Sequence, residues 1–406
     1  MKILIGTEDV AGWIQQYKSG FESFGHEVTT AVFKKSSFFD VDYDYVFDEM
    51  FRYKIDSRQL LRHQFLKRVK RKIKNEWKSR TYKKLIHSLI DKHDVIIQMW
   101  HPFLPSSAEL LYARKRNKKI ISVFVGSDVR YFKAFKQEFD VSKWNFPKEL
   151  DNEYIDYHLQ LIRNAEKYSD LIYSVPDQAG LQMKPYYHLQ VPLNTGKFVY
   201  HVPGNKIPKI VHAPSVPFKK GTDIIEATLA SLKNEGVAFE LMSVRNMPND
   251  ELLQLLSQAD ILVDEIVYNG PGTLSFEAMM SGCAVATRYI NNSPQVFCPP
   301  VMNINADNIY KQLKTLLTNP QLIKELAIKG REYALRNNSS AKIVADMLKN
   351  LEIPGQPDYY PDFLRQRFVP GSKSEILSIN KWTSFVKDCD WYSVYVNMGE
   401  REGLVF

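Results

Sequence analysis

The feature that most constrains this chain is a series of short apolar runs that alternate with segments of helical periodicity. Near the start, KILIG and HEVTTAVF flank a loop containing Gly12 and a helical segment that ends at Gly25; further strand-like runs follow at 94–100, 119–126 and 170–175. Strands separated by helices favour a parallel sheet, because each parallel pair needs a long crossover connection. This first series therefore predicts a doubly wound α/β domain that opens like a nucleotide-binding βαβ unit.

A second series begins after a connection rich in Pro and Gly at 191–209. Its predicted strands are KIVHAP, AFELMSV, ADILVDEI and CAVATR, and its predicted helices are DIIEATLASLKNEG, NDELLQLLSQA with Asn249 as N-cap, and SFEAMMSG. A chain of 406 residues also exceeds what a single core ordinarily supports. We therefore expect two α/β domains, over 1–195 and 205–350, and an aromatic-rich extension over 351–406 that packs back on them.

Composition excludes several other classes of protein. The opening MKILIGTEDVAGW lacks the long apolar core and the cleavage site of a signal peptide. No stretch approaches the roughly 18 apolar residues of a membrane helix. The cysteines at 283, 298 and 389 form no CxxC pair, so neither a disulfide framework nor a zinc site is indicated. These features predict a cytoplasmic protein.

Positive charge is concentrated in one segment, 52–84, which holds 14 Lys or Arg and two acidic residues, against a net charge of +8 for the whole chain. Apolar residues recur there at helical spacing, so the segment fits a solvated amphipathic helix. It fits equally a surface that binds anionic lipid headgroups, which would make the protein peripheral at the inner face of the cell membrane. No nucleic-acid-binding motif accompanies the charge, and we expect no nucleic-acid partner.

Two anion-binding helix starts are predicted in the second series. After the strand KIVHAP, the turn SVPFKKGTD carries Lys219 and Lys220 and opens a helix. Free backbone N–H groups and the helix dipole favour an anion at such a place, and lysine adds a point charge.

The second helix start follows a Gly-Pro-Gly turn in YNGPGTLSFEAMMSGCAVA. Gly270 and Gly272 allow a pyrophosphate to approach the backbone closely, with the amides of Thr273 and Leu274 as donors. Glu277 lies about one turn further on, where its carboxylate can accept hydrogen bonds from the two hydroxyls of a ribose. Two such starts and a carboxylate in one domain favour a nucleotide site over structural loops.

These blocks resemble the donor-binding domain of the GT-B glycosyltransferases. Among them they are most similar to the retaining, family 4-like group that builds bacterial lipopolysaccharides and capsules. In the first series, MKILIG, Gly12 and GHEV resemble the family's opening, and FVGSDVR (124–130) resembles its HGSD segment. The resemblance implies two Rossmann-like domains that face each other across a cleft. It further implies transfer of a sugar, with retention, from a nucleotide-diphosphate sugar to a hydroxyl acceptor such as a glycan or a lipid-linked glycan.

By the same resemblance, Lys220 neutralises the donor diphosphate and Glu277 holds the ribose, while residues 272–274 form the phosphate-contacting turn. Gly12 approaches the phosphate from the other domain, and Arg245 lies in the loop that binds the base. We expect no metal cofactor, because lysine and helix N-termini can themselves neutralise the leaving group. The D-x-D pairs at 40–42 and 388–390 resemble the cation-binding motif of glycosyltransferases with another fold. Neither pair lies in that fold's sequence pattern, so both are interpreted as surface loops.

The sequence departs from the family pattern at the sugar. Asn269 stands eight residues before Glu277, where the family has a glutamate that contacts the transferred sugar. Val125 replaces the histidine near the reaction centre, and Lys219 is the candidate for a missing basic partner of Lys220. The nucleotide half of the site therefore matches the family better than the sugar half.

Four other residues are candidates at strand ends, where α/β sheets place ligands. His101 could replace the missing histidine, so that His101, Asn269 and Lys220 form the expected catalytic set, although a structural histidine before Pro102 is equally compatible. We expect Asp128 and Arg130 to contact the acceptor, and His212 either reaches the cleft or is a structural histidine.

The departures keep two alternatives to a transferase open. One is a nucleotide-sugar-binding pseudoenzyme that regulates a true transferase. The other is a nucleotide-sugar epimerase on the same fold, for which His101 and His212 are the only plausible acid–base groups in the sequence.

Overall fold

The computed structural model describes residues 1–36, 38–39, 41–50, 79–104, 107–130, 155–175, 182, 184–268, 270–289 and 295–359. Within these ranges the first sheet has seven parallel strands in the order β3-β2-β1-β4-β5-β6-β7. They are β1 (Lys2–Thr7), β2 (Glu27–Val32), β3 (Tyr45–Val46), β4 (Val95–Met99), β5 (Lys119–Val123), β6 (Leu171–Ser174) and β7 (Tyr187–His188). This order is the doubly wound one, and its direction reverses between β1 and β4.

Helices connect the strands of the first sheet. They are α1 (Trp13–Ser23), α2 (Phe47–Met50), α3 (79–92), α4 (Ala108–Arg114) and α5 (Ile155–Tyr168). The central strands β1 and β4 are almost wholly buried, as expected of parallel strands covered on both faces. The five strands predicted in this half are all confirmed, and the two-residue strands β3 and β7 are additions at the sheet edges.

The second sheet has five parallel strands within the described residues, in the order β12-β11-β10-β8-β9. They are β8 (Lys209–His212), β9 (Glu240–Ser243), β10 (Ile261–Val263), β11 (Ala284–Thr287) and β12 (Met302–Asn303). The connecting helices are α6 (Pro217–Lys220), α7 (Thr222–Asn234), α8 (Asn249–Leu256), α9 (Thr273–Ser281), α10 (Ile309–Leu317), α11 (Pro320–Asn337) and α12 (Ser340–Glu352). Strand order reverses between β8 and β10, which is a second switch point.

Helix α12 joins the two domains. It was expected to belong to the second domain, but it packs on α1 of the first. Its apolar face, Ile343, Val344 and Met347, is buried in the same cluster as Tyr17 and Phe21 of α1. Burial of that face requires a partner helix, and α1 supplies it.

The chain then continues along the first domain. Tyr359 forms an antiparallel bridge with Tyr186, and the Tyr187 hydroxyl donates to the carbonyl of Gly355 at 2.8 Å. The described start of the predicted extension therefore packs on the first domain, and residues 360–406 lie outside the described ranges. None of the helices described here combines the length and the apolar character that a bilayer span requires.

One predicted helix cap is wrong. Asn249 is the first residue of α8, and Pro248 precedes it in the cap position. The side-chain amide of Asn249 instead donates to Glu277 on α9 at 3.1 Å, so the residue predicted to be a local cap joins two helices.

Candidate nucleotide-sugar site

A buried cluster of three charges lies at the switch point of the second sheet. Lys220 ends the short helix that follows β8, and Asp264 and Glu265 follow β10 directly. The Lys220 Nζ lies 2.8 Å from Asp264 Oδ1 and 2.9 Å from Glu265 Oε2. Because β8 and β10 are neighbours and parallel, their carboxyl ends bring the lysine and both carboxylates to one edge of the sheet.

The charges of this cluster depend on one another. Burial alone would lower the pKa of Lys220, but the Asp264 and Glu265 carboxylates hold it above its usual range. Burial alone would likewise raise the pKa of Asp264, which Lys220 and the hydroxyl of Ser275 hold below its ordinary value. For Glu265 the effect of burial is larger than that of Lys220, so its pKa rises to about 7. The cluster is thus a lysinium held by one firmly ionised carboxylate and one that titrates near neutrality.

The Gly-Pro-Gly turn stands directly against this cluster. A Cβ atom at Gly272 would lie 3.8 Å from both Asp264 Oδ2 and Lys220 Nζ. Gly272 caps α9, and in the described part of the chain the backbone N–H groups of Thr273 and Leu274 have no acceptor. Two amide donors at a helix N-terminus and a lysine ammonium therefore surround one small space, an arrangement suited to a phosphate.

Glu277 lies one turn further along α9 and is not among the described residues that line the cavity described below. Its side chain is buried and accepts the Asn249 hydrogen bond on Oε1. Burial raises the pKa of Glu277 to about 7. The carboxyl group keeps acceptor capacity for hydroxyl donors in either protonation state, because it has further lone pairs and one described bond occupies it.

The first domain meets this turn through the loop that precedes α1. Gly12 has a left-handed backbone (φ 77°), and a Cβ there would lie 3.0 Å from the ring of Phe39. The next residue, Trp13, donates its indole N–H across the cleft to Thr273 Oγ1 at 3.0 Å. The predicted loop glycine is therefore at the cleft, with Phe39 packed beside it.

A turn after β5 brings a cation to the same cleft. The carboxylate of Asp128 accepts from the backbone N–H groups of Val125 and Gly126, so it organises its own turn. Burial raises the pKa of Asp128 to about 7. At the end of this turn the Arg130 guanidinium lies over the ring of Tyr268 from the second domain, 4.5 Å from its centroid. Contact of Asp128 or Arg130 with an acceptor stays a prediction.

Between the domains lies a cavity of about 310 Å³. Its polar lining includes Lys220, Glu265 and Arg130. The Gly-Pro-Gly turn at 270–272, called the glycine turn below, forms part of its wall. Around them the wall is largely apolar and aromatic: Val10, Trp13, Val125, Val175, His188, Leu189, Val191, Tyr268, Phe276, Tyr289, Phe297, Pro299 and Tyr333. A site of this size with a few convergent polar groups is typical of a small-molecule pocket.

The candidate histidines differ in what they can do. His212 is buried, with Nδ1 2.8 Å from the carbonyl of Val263 and Nε2 3.0 Å from the hydroxyl of Thr222, so it is the structural histidine of the two alternatives. His101 is half-buried beside the ring of Trp100, and burial lowers its pKa. His101 is not among the described residues that line the cavity.

The remaining predicted residues lie around or outside the site. Lys219 is half-exposed next to Lys220. Arg245 is exposed after β9, with Nη2 3.6 Å from Glu226. Asn269, like most of the basic segment 52–84 and all of the D-x-D pair at 388–390, falls outside the described residues.

Sequence reasoning missed Asp264, Glu265, Trp13 and Tyr268 as site residues. Asp264 and Glu265 were included in the predicted strand ADILVDEI, which ends at Val263. An acidic pair directly after a buried parallel strand was the available signal. Nothing local marks Trp13 or Tyr268, because their partners are more than a hundred residues away.

Comparison with solved structures identifies the fold of the chain. No family model and no curated protein matches the chain. Among solved structures it is similar to a sucrose-phosphate synthase from Thermosynechococcus elongatus (TM-score 0.54, 12% identity, covering 87% of this chain and 99% of that one). It is also similar to an alpha-glucosyltransferase solved with UDP and a DNA 13-mer (TM-score 0.53, 12% identity, 86% and 98%). A third is a glycosyltransferase from Rickettsia africae ESF-5 (TM-score 0.52, 11% identity, 87% and 99%). The chain has the GT-B fold.

The expected fold class is thereby confirmed: two Rossmann-like, doubly wound domains face each other across a cleft. In this GT-B chain the charged cluster and the glycine turn belong to the second domain, and Gly12, Trp13 and Arg130 belong to the first.

Proposed function

We propose that the protein is a glycosyltransferase that moves a sugar from a nucleoside diphosphate sugar to a hydroxyl acceptor. The observation that carries this proposal is the meeting of Lys220 with the glycine turn and the unpaired N-terminal amides of α9 on one interdomain cavity. Glu277, one turn further along α9, supports the assignment as the acceptor of ribose hydroxyl groups. In the alpha-glucosyltransferase of similar fold the bound nucleotide is UDP.

In the proposed reaction the bond from the anomeric carbon to the diphosphate oxygen breaks, a bond from that carbon to the acceptor oxygen forms, and the acceptor hydroxyl loses its proton. The departing diphosphate gains negative charge. The amides of Thr273 and Leu274 are fixed before the reaction, so they stabilise that charge without reorganisation. Lys220 adds a positive charge beside Gly272. Apolar side chains of both domains exclude water, the competing acceptor. By resemblance to the lipopolysaccharide and capsule enzymes, we propose that the anomeric configuration is retained.

The reaction as proposed needs no metal ion, because fixed donors and cations face the leaving group. Activity should therefore be unchanged after treatment with EDTA. A loss restored by Mg²⁺ or Mn²⁺ would contradict this part of the proposal.

We further propose that the acceptor is a glycan or a lipid-linked glycan, and that the basic segment 52–84 holds the enzyme against an anionic membrane surface. Fourteen cationic residues in one segment of the acceptor half support this idea. Co-sedimentation with vesicles containing phosphatidylglycerol should be lost when the Arg and Lys residues of the segment are changed to Gln. Unchanged binding would overturn the membrane role.

A binding protein without transferase activity is the second candidate. Val125 lines the cavity at the position of the family's histidine. The one histidine among the described lining residues is His188, whose pKa burial lowers to about 3. The epimerase alternative is weakened, because both ring nitrogens of His212 are hydrogen-bonded in the core.

Turnover distinguishes these candidates. The protein is incubated with UDP-, GDP- and ADP-sugars, and release of the nucleoside diphosphate is measured with and without glycan acceptors, beside Glu277→Ala. Release by the wild type that falls at least tenfold in Glu277→Ala supports a transferase. Nucleotide binding with no release would favour the regulatory protein, and a change of sugar configuration without release would favour the epimerase.

A further inference from the structure

The positive charge on the cavity wall comes from both domains. Lys220 reaches it from the second domain, and Arg130 reaches it from the first. Lys219, the residue that the sequence offered as partner of Lys220, is half-exposed and is not among the described residues lining the cavity.

Lys220 already has two anionic partners. Its ammonium lies within 2.9 Å of oxygens of both Asp264 and Glu265, whose side chains are 1% and 7% exposed. Most of its charge therefore offsets buried carboxylates of its own domain. A nucleoside diphosphate that entered the cavity would meet a cluster close to neutrality, and a second cation is needed to favour it.

Arg130 is held where such a cation is needed. Its backbone N–H donates to the carbonyl of Gly126 at 2.9 Å, and Asp128 fixes the same turn through the backbone amides it binds. The guanidinium lies on the ring of Tyr268, two residues before Gly270 of the glycine turn. The planar N–H fork of a guanidinium matches two phosphate oxygens at once, which an ammonium group cannot do.

We propose that Arg130, supplied by the opposite domain, is the second diphosphate-binding cation of this site. This assignment rests on the proposed function and replaces the expectation that Arg130 serves the acceptor and Lys219 the donor. A diphosphate bound to the α9 N-terminus and to Arg130 would also link the two domains.

The test is calorimetric titration of the full-length protein with UDP, GDP and ADP, continued with whichever binds the wild type. Arg130→Gln should weaken binding of that nucleotide about 10- to 100-fold, the range for loss of a hydrogen-bonded charge. Arg130→Lys should recover part of the loss, since a point charge remains without the planar fork. Lys219→Gln should lose less than Arg130→Gln.

The matched control is Arg116→Gln, because the Arg116 guanidinium also lies over a tyrosine ring, 3.6 Å from the centroid of Tyr112, on the surface of the first domain. It should bind the nucleotide like the wild type. If Arg130→Gln does not fold by circular dichroism, Arg130→Met is used in its place.

The outcomes separate the two proposals. A folded Arg130 variant that binds within twofold of the wild type, or a larger loss in Lys219→Gln, overturns the assignment and leaves the proposed function standing. Absence of binding by the wild type to all three nucleotides overturns the proposed function and the assignment together.

Discussion

In the second domain the wall of the cleft combines aromatic side chains with buried charge and unpaired backbone amides, whereas in the first domain the described wall is mainly apolar. Lys220, Glu265 and the glycine turn stand on one side. Val10, Trp13 and Val125 stand on the other, with Arg130 as the cation among the described residues of that wall. The contrast teaches that the chain concentrates buried charge and fixed amide donors at the place where we propose that a nucleotide binds. The described wall of the first domain offers mainly apolar surface, which excludes water from the cleft.

The largest effect is expected from breaking the buried charge of the second wall. Lys220→Ala leaves Asp264 and Glu265 without their cation, and loss of one partner of a buried ion pair costs about 3–5 kcal/mol. The free energy of unfolding, measured by chemical denaturation, should fall by that amount. Lys219→Ala, the half-exposed neighbour, is the control and should change it by less than about 0.5 kcal/mol. Equal effects of the two lysines would contradict the buried ion-pair cluster that sets the second wall apart.

A smaller effect is expected from the pH dependence of Glu277. Burial raises its pKa from the ordinary 4.5 to about 7, so the folded protein holds this proton more tightly than the unfolded chain does. The stability it contributes is complete below pH 4.5 and is lost as the pH rises through about 7. Glu277→Gln has no such loss.

The Glu277→Gln variant should therefore gain about 1–3 kcal/mol of unfolding free energy relative to the wild type between pH 5 and pH 8. Denaturation curves of both proteins at the two pH values measure this gain. A difference that is the same at pH 5 and pH 8 would contradict the buried carboxylate.

The smallest effect concerns the place where the two walls meet. The hydrogen bond from Trp13 to Thr273 crosses the cleft, and a neutral bond of this kind contributes about 0.5–1.5 kcal/mol. A double-mutant cycle with Trp13→Phe and Thr273→Val should give a coupling energy in that range. If the two substitutions change the free energy of unfolding additively, the Trp13–Thr273 hydrogen bond does not contribute to stability.

The sequence predicts features that depend on neighbouring residues better than contacts between the two domains. Strands and glycine turns were predictable, because apolar runs, helix periodicity and turn residues are local signals. The contacts of Trp13 and Tyr268 were not, since each depends on a residue of the other domain. The packing of 340–352 on the first domain was missed for a related reason: an apolar helix face shows that a partner exists but not which one.

Within the site, the sequence predicted the role of the backbone better than that of the charges. Gly272 and Lys220 lie together as expected. The carboxylates of Asp264 and Glu265, which decide how much of the lysine's charge a ligand can use, were read as the end of a strand. A side chain's electrostatic partners depend on strand order, and strand order is fixed by the whole sheet.

The central claim is that a nucleoside diphosphate lies against the backbone at Gly272, and Gly272→Ala tests it most directly. The backbone there is extended, and the added methyl group would be in ordinary contact with its neighbours at 3.8 Å, so the fold should be retained. Gly204→Ala, also 3.8 Å from its nearest neighbour and remote from the cleft, is the control.

The affinity for UDP, GDP and ADP is measured by titration calorimetry on both variants, and the thermal unfolding midpoint is measured in parallel. The account predicts at least tenfold weaker binding by Gly272→Ala of the nucleotide that the wild type binds, with Gly204→Ala unchanged and both midpoints close to that of the wild type. Undiminished binding by a folded Gly272→Ala protein would show that the diphosphate does not lie at this turn.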